Sequence, residues 1–313
     1  MQQYSRGILY SVITAICWGF LAIALKVTVM KVDPFTVVWF RFLVAFILLA
    51  AWLAWKKPEE FRIFLKPPLI LVVAAFALSW NYLSFMMGID YTTPSISQVF
   101  IQTGPILLSV AGFLFFREKI RIRQVFGFLL SICGFFLFFN QQLATFEGSG
   151  DRLRQGVVII LSSASAWALY AIFQKILVKK YTDTMLNLFL FGIPIILFLP
   201  FVKFQPLLSL SFTWWLLLFF VGVNTLIAYT FVARALKLIE AYKVSIIIVL
   251  NPIITFVCMG ILTWLDVSWI GHEHYTPLTI GGALLVLVGS ILVAWKKSRS
   301  ARKKTAHKIA NHL

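Results

Sequence analysis

Acidic side chains are scarce in this sequence, which has 11 Asp and Glu residues against 28 Lys and Arg residues among 313. No carboxylate lies deep in an apolar segment, and all four histidines fall in polar stretches. A relay that moves protons across a bilayer uses buried Asp, Glu or His side chains. The sequence shows no such relay. Any transport is therefore either coupled to protons through groups at the rim, such as Glu118, or it proceeds by substrate exchange or facilitated diffusion.

Cysteine is equally rare, and the three cysteines, Cys17, Cys133 and Cys258, all lie within apolar segments. In such surroundings they act as small hydrophobic residues. Their spacing gives neither a disulfide framework nor a metal site. We therefore expect no metal and no cofactor.

Charged residues make up only 12% of the chain, hydrophobic residues make up 61%, and the mean hydropathy is +0.92. Soluble domains average about 45–50% apolar and about 25% charged residues, so a soluble fold is excluded. A helix needs about 20 apolar residues to cross a bilayer. The sequence predicts an all-α integral membrane protein with ten spans at 7–29, 34–55, 67–89, 93–116, 122–139, 156–178, 184–202, 213–235, 241–265 and 277–295.

The predicted spans divide into two halves. We expect a first five-helix repeat at 1–140, a linker loop at 141–155, a second five-helix repeat at 156–296 and a basic cytoplasmic tail at 297–313. The tail is expected to lie against anionic lipid headgroups, where each basic residue contributes about 1 kcal/mol. The net charge of +17 does not predict a nucleic-acid partner, since no folded reader of nucleic acid is present.

Basic residues give the orientation. With the amino terminus inside, 21 of the 28 Lys and Arg residues lie on the inner side and four on the outer side. Because cytoplasmic loops carry the excess of basic residues, both termini are predicted to be cytoplasmic. The expected location is the plasma (inner) membrane.

The two halves carry matching residues in the same order. Trp18 and Lys26 match Trp167 and Lys175, each 149 positions later, whereas Tyr82, Gln98 and Pro105 match Tyr229, Ser245 and Pro252, each 147 positions later. Five spans per half is an odd number, so the second half must be inverted in the membrane relative to the first. Inverted repeats can expose one central site to either side in turn, which favours transport.

Several motifs keep an ordered spacing along nearly the whole chain. They are Trp18 with Gly19, Arg41, the stretch 105–118, Gly127 with Gly134, the stretch 167–175, the segment 224–229 and Asn251 with Pro252. In this order they resemble the drug/metabolite transporter superfamily and, within it, the ten-helix EamA-type family. The resemblance implies a basket of spans one to four and six to nine around a cavity. It also implies that spans five and ten are peripheral and that small metabolites are exported or exchanged.

Two positions depart from the family pattern. The family often ends its ninth helix with Glu, where this chain has Asp266. The sixth span has Ala168 where the first has Gly19, a difference that affects how closely a neighbouring helix approaches.

Polar and aromatic residues recur on single faces of the predicted spans. Inside a span such residues face the protein interior or a water-filled cavity. The candidate substrate-binding residues are Trp18, Trp80, Asn81, Tyr82, Gln98, Gln102, Ser163, Trp167, Tyr170, Gln174, Asn224, Tyr229, Ser245 and Asn251. For each residue alone, hydrogen bonding between helices is an equally good interpretation.

Two prolines and three cations complete the set. Pro105 and Pro252 each remove a helical hydrogen bond, which predicts either a hinge or a static kink. Lys26 and Lys175 could line gates at opposite membrane faces, or extend to the nearer interface. Arg41 lies about two turns into its helix and is harder to explain in that way.

A transporter is the favoured function. The expected substrates are small metabolites such as amino acids, and efflux of bulky hydrophobic drugs is the alternative. A membrane-embedded enzyme would need a buried catalytic set, and a channel would need a charged ring or carbonyl filter. The sequence shows neither. The glycine faces of spans five and ten could pack against a second subunit in a homodimer.

Overall fold

The structure, a computed structural model, describes residues 2–116, 122–145, 150–239, 241–273 and 275–294. These residues form helices and connecting loops only. The α-helices are α1 (Gln2–Val29), α2 (Pro34–Lys56), α3 (Leu69–Tyr91), α4 (Pro94–Phe100), α5 (Thr103–Phe116), α6 (Ile122–Thr145), α7 (Gly150–Leu177), α8 (Asp183–Phe198), α9 (Phe204–Leu208), α10 (Phe212–Leu238), α11 (Ala241–Ile248), α12 (Leu250–Trp264) and α13 (Pro277–Ala294). Short 3₁₀ helices lie at Pro58–Phe64 and Leu199–Phe201.

Most of these helices are long and apolar enough to cross a bilayer. Eight such segments occur among the described residues, and α13 is a shorter apolar helix. The fourth span consists of α4 and α5, which are each too short to cross alone. The prediction of an all-α integral membrane protein is confirmed.

Polar caps begin several helices where the chain enters the apolar region. The Asp33 carboxylate accepts a hydrogen bond from the Thr36 amide at 3.2 Å, and Pro34 occupies the first turn of α2. The hydroxyls of Thr93 and Thr182 accept from backbone amides at the starts of α4 and α8. Such caps satisfy amides that lack a helical partner. They set the ends of these spans.

The fourth and ninth spans are each divided into two helices after the first seven or eight residues. The sequence predicted a bend at each proline, and the structure shows a short break in the α-helix about one turn earlier. Pro105 lies four residues after Ile101, where α4 has ended, and Pro252 lies four residues after Ile248, the last residue of α11. A proline ring clashes with the carbonyl four residues before it and cannot donate to that carbonyl. The two breaks are therefore related by the repeat.

The packing of the spans also follows the repeat. α1 packs against α10 and α12, and its counterpart α7 packs against α3 and α5. α2 packs against its own counterpart α8, and α6 packs against its counterpart α13. Exchanging the two halves leaves this pattern of neighbours unchanged. The chain therefore consists of two structurally equivalent five-helix repeats.

Four glycines bring α6 and α13 into backbone contact. A Cβ atom added to Gly127 would lie 2.8 Å from the carbonyl oxygen of Gly289, and one added to Gly134 would lie 2.7 Å from that of Gly282. Small residues allow helices in a membrane to approach this closely. The expectation that these faces bind a second subunit is therefore wrong, because each covers the other within one chain.

The predicted linker loop is largely helical. α6 continues to Thr145 and α7 begins at Gly150, so helix occupies most of 141–155. Leu, Ala, Gln and Arg are good helix formers and can extend a helix beyond the hydrocarbon region. An ion pair of 3.1 Å between Arg154 and Asp151 supports the first turns of α7. The predicted basic tail lies outside the described residues.

Candidate functional site

A central cavity of about 80 Å³ lies among the helices of both repeats. This volume is large enough for several water molecules. Its walls come from spans one to four, six, eight and nine. Eight candidate substrate-binding residues line it, namely Trp18, Asn81, Tyr82, Gln98, Gln102, Trp167, Tyr229 and Asn251, together with Arg41 and Pro105.

Aromatic rings from equivalent positions of the repeats meet at the cavity. The rings of Trp18 and Trp167 are 6.1 Å apart at 81°, and those of Tyr82 and Tyr229 are 5.3 Å apart. Trp18 also contacts Tyr229 edge to face at 5.7 Å. Edge-to-face contacts hold aromatic rings in fixed relative positions. The cavity therefore has a preformed aromatic wall, to which equivalent positions of the two repeats each contribute a Trp and a Tyr.

Arg41 places a buried cation in this wall. Arg41 is only 3% exposed. Its Nε donates to the Thr225 hydroxyl at 3.1 Å, and its guanidinium carbon lies 4.4 Å from the centre of the Tyr82 ring. Among the described residues, no carboxylate lies within 4.0 Å of the guanidinium. The cation–π contact offsets about 2 kcal/mol of the cost of burial. An unpaired charge in a membrane interior indicates a functional site.

Amide side chains join the two broken spans at the cavity. Gln102, at the break between α4 and α5, donates through Nε2 to Oδ1 of Asn251 in the first turn of α12, at 2.9 Å. Gln98 donates to the Trp18 carbonyl oxygen at 2.9 Å. The Oε1 atoms of both glutamines are buried and have no partner among the described residues. The two breaks are thus tied to each other beside unsatisfied acceptors.

Two other candidate residues, Ser163 and Asn224, join helices outside the cavity lining. Asn81 donates to the Ser163 hydroxyl at 2.9 Å, which in turn donates to the Asn81 carbonyl, so α3 and α7 are linked. Asn224 links α10 to α1 by donating to the Cys17 carbonyl at 3.0 Å. For Ser163 and Asn224 the structure thus shows the helix-to-helix hydrogen bonding that was the alternative interpretation.

Three further aromatic or amide candidates do not line the cavity. Tyr170 is buried behind the wall, with its ring 5.6 Å from that of Tyr229. Gln174 is fully buried one turn further along α7. Trp80 was expected to face the cavity, but its side chain is 51% exposed on the outer surface of α3. That expectation is wrong because Trp80 precedes the inward-facing Asn81 by one residue, which is about 100° around a helix.

The two repeat-related lysines bind helix ends. Lys26 Nζ donates to the carbonyl oxygens of Ile89, Asp90 and Thr92 at 3.0, 3.0 and 2.6 Å, where α3 ends. Lys175 Nζ donates to the carbonyl oxygens of Leu236 and Ile239, where α10 ends. A cation is favourable at a helix carboxyl terminus, which leaves carbonyls without helical partners. Neither lysine is part of the cavity lining, and each instead caps the carboxyl end of a neighbouring helix.

A polar cluster connects the loop after α12 to the start of α4. The Ser95 amide donates to Glu273 Oε1 at 3.2 Å, and the Tyr275 hydroxyl donates to Glu273 Oε2 at 2.7 Å. Burial, followed by the neighbouring Glu273 carboxylate, raises the pKa of Tyr275. This hydroxyl therefore keeps its proton at neutral pH and remains a donor. The cluster fixes one end of the fourth span.

Pro252 is buried after its helix break, but the side chain of Ser245 and all of Glu118 lie outside the described residues. The candidate set also omitted apolar wall residues, namely Leu21, Ala22, Phe85, Ile101 and Ile248. The sequence could have predicted three of them from helical spacing. Leu21 and Ala22 lie three and four residues after Trp18, and Phe85 lies three residues after Tyr82, so each shares a helix face with a predicted cavity residue.

Proteins of similar sequence are described as transporters. The family described as "EamA-like transporter family" matches residues 5–140 and 154–295. The "Uncharacterized inner membrane transporter YhbE" of Escherichia coli (strain K12) is 33% identical over 94% of this chain and 92% of its own length. An "Uncharacterized transporter" of Haemophilus influenzae is 30% identical over 94% of this chain and 96% of its own length.

A solved structure titled "Crystal structure of protein" has a TM-score of 0.65 and 15% identity, covering 92% of this chain and 96% of that chain. At this identity the likeness concerns the fold alone. The fold, the cavity and the relatives together define a membrane transporter. The chain belongs to the EamA-like transporter family, as its sequence motifs predicted.

Proposed function

We propose that this protein is a secondary transporter of the inner membrane that exports or exchanges small metabolites, such as amino acids, by alternating access. The observation that carries this proposal is the central cavity, whose wall joins equivalent residues of the two repeats. In this proposal both termini are cytoplasmic, in keeping with the excess of basic residues on that side. Inner-membrane location also agrees with the name of the Escherichia coli relative.

The broken spans supply the movement in this proposal. Transporters with inverted repeats often bind substrate at discontinuous helices near the middle of the membrane. Here the breaks before Pro105 and Pro252 lie at the cavity and are joined through Gln102 and Asn251. Bending at both breaks would open one side of the cavity while closing the other. The two prolines would therefore act as hinges.

The substrate would contact both the aromatic wall and the polar side chains of the cavity. Aromatic faces accommodate the apolar part of a small metabolite, while the amides and the cation orient its polar groups. The proposed contact residues are Trp18, Arg41, Asn81, Tyr82, Gln98, Gln102, Trp167, Tyr229 and Asn251.

Counterflow in proteoliposomes tests this function. Purified full-length protein would be reconstituted with a panel of unlabelled amino acids and small organic acids inside, and uptake of each radiolabelled compound would be measured. We expect saturable uptake that depends on the internal compound, with protein-free liposomes as the control. Conductance at ion rates would indicate a channel instead, chemical conversion would indicate an enzyme, and no flux with any compound would refute the proposal.

A further inference from the structure

Arg41 stands out among the cavity residues because it carries the one charge in the described lining. Arg41 is almost fully buried. Among the described residues, only its Nε has a hydrogen-bond acceptor, which is the Thr225 hydroxyl. The ring of Tyr82 covers one face of the guanidinium at 4.4 Å. The planar fork of a guanidinium matches a carboxylate with two parallel hydrogen bonds. The remaining nitrogens are thus available for an anion in the cavity.

We infer that Arg41 is the residue that determines substrate specificity, by binding a carboxylate or a similar oxyanion of the transported compound. This inference rests on the proposed transport function and names the chemical class of its substrate. A charge taken out of water is best stabilised by an opposite charge, and the described protein places no carboxylate within 4.0 Å of this cation. An anionic substrate would provide that partner each time the cavity is occupied.

A purely structural role for Arg41 explains less of its surroundings. A structural arginine inside a membrane protein would be expected to pair with a carboxylate or with several carbonyl oxygens. Arg234 shows this pattern, since its Nε donates to the Asp183 carboxylate at 2.9 Å between α10 and α8. Arg41 has a hydroxyl and a ring face instead, and it lies in the cavity wall.

Two glutamines of the lining favour a substrate that also carries a hydrogen-bond donor. The Oε1 atoms of Gln98 and Gln102 have no donor among the described residues, and both residues line the cavity. A buried acceptor without a donor destabilises the protein unless a ligand or water satisfies it. An N–H or O–H group of the substrate would do so. The favoured substrate is therefore a small organic anion with a donor group.

Matched acids and amides test this inference. Binding to the purified full chain in detergent would be measured by titration calorimetry with pyruvate, L-alanine, L-phenylalanine and succinate, and with the primary amide of each. The amide keeps the shape but removes the carboxylate. For each acid that binds, we expect its amide to bind at least about ten-fold more weakly, since hydrogen bonds to charged groups are the strong ones.

Three variants assign that preference to Arg41. Arg41→Gln should bring the acid-to-amide affinity ratio to about one, while Arg41→Lys, which keeps the charge but loses the fork, should retain part of the preference. Lys31→Gln removes the same charge from an exposed loop and should leave the ratio unchanged. If Arg41→Gln does not fold, the comparison of Arg41→Lys with the wild type decides.

Several outcomes would overturn the inference. An amide that binds as well as its acid, binding of none of the four acids, or an unchanged ratio in Arg41→Gln or Arg41→Lys would each do so. Saturable counterflow of an uncharged or cationic compound by the wild type would keep the transport function and remove this substrate class. Absence of all flux would instead count against the transport function itself.

Discussion

At the residue scale, Lys26 and Lys175 show how one device serves both repeats. Each lysine lies in the first span of its repeat and binds the carbonyls that end the third span. In each repeat the cap joins the carboxyl-terminal part of the first span to the carboxyl end of the third span. A cation held by several carbonyl oxygens joins two spans of one repeat.

Replacing either lysine should destabilise the fold more than it affects the cavity. Lys26→Met and Lys175→Met leave buried carbonyls without a donor, which costs about 1–3 kcal/mol for each such site. We expect a lower unfolding midpoint for each variant in detergent, measured by thermal unfolding. Lys31→Met is the control, since Lys31 is exposed. Unchanged midpoints in both lysine variants would show that the caps do not stabilise the protein.

Residues that face the cavity were predicted most directly where the two repeats match. The equivalence of Trp18 and Trp167 indicated a shared position, and their rings meet at the cavity. Trp80 has no such counterpart in the matched set, and its large aromatic side chain faces outward. The lysine contacts could not be predicted, because the sequence does not show that α3 ends beside α1.

At the element scale, the two proline breaks set the flexibility of the fourth and ninth spans. A helix without its interrupting proline would gain a hydrogen bond and continuous backbone. The sequence located both prolines, and the structure adds that the interruption falls one turn before each of them.

Restoring helix continuity should slow transport while leaving binding nearly intact. Pro105→Ala and Pro252→Ala remove a penalty of about 3 kcal/mol for an uninterrupted helix, enough for a ten-fold or greater fall in maximal counterflow rate if bending limits transport. Counterflow rates and calorimetric affinities would be measured on the same preparations. Pro206→Ala, in the short helix α9 outside the cavity, is the matched control. Full transport rates in both variants would leave the prolines as static kinks.

The contact between α6 and α13 is a second feature at this scale. Gly134→Ala would place a methyl group 2.7 Å from the Gly282 carbonyl oxygen, whereas Gly281→Ala meets no atom within 4 Å. We expect the first change to destabilise the protein by about 1–3 kcal/mol, as overpacking does, and the second to have little effect. Thermal unfolding of the two variants would check this. Equal midpoints would mean that the helices separate without cost.

At the scale of the whole molecule, an inverted repeat requires the start of the first repeat and the start of the second repeat to lie on opposite sides of the membrane. Gln3→Cys, before the first long apolar run, should face the cytoplasm, and Arg152→Cys, near the start of α7, should face the opposite side. Both would be made in a variant lacking Cys17, Cys133 and Cys258 and probed with an impermeant thiol reagent on intact cells. Only Arg152→Cys should react. Reaction of both, or of Gln3→Cys alone, would contradict the orientation.

Most of the fold was predictable from the sequence because apolar length and repeat spacing are encoded locally. The ten spans, their division into two halves and the transporter family all follow from such signals. The linker at 141–155 was not predictable, since polar residues there continue as helix to Thr145. The packing partner of the glycine faces was also not predictable, because a row of glycines does not specify whether the partner helix lies in the same chain or in another.

The pairing of α6 with α13 also dictates an order of assembly. α13 begins about 130 residues after α6 ends. At about 5–20 residues per second, a ribosome makes that stretch in on the order of ten seconds. Until then the glycine face of α6 contacts lipid or the insertion machinery instead of α13. The first half of the chain therefore cannot finish folding before the second half has been made.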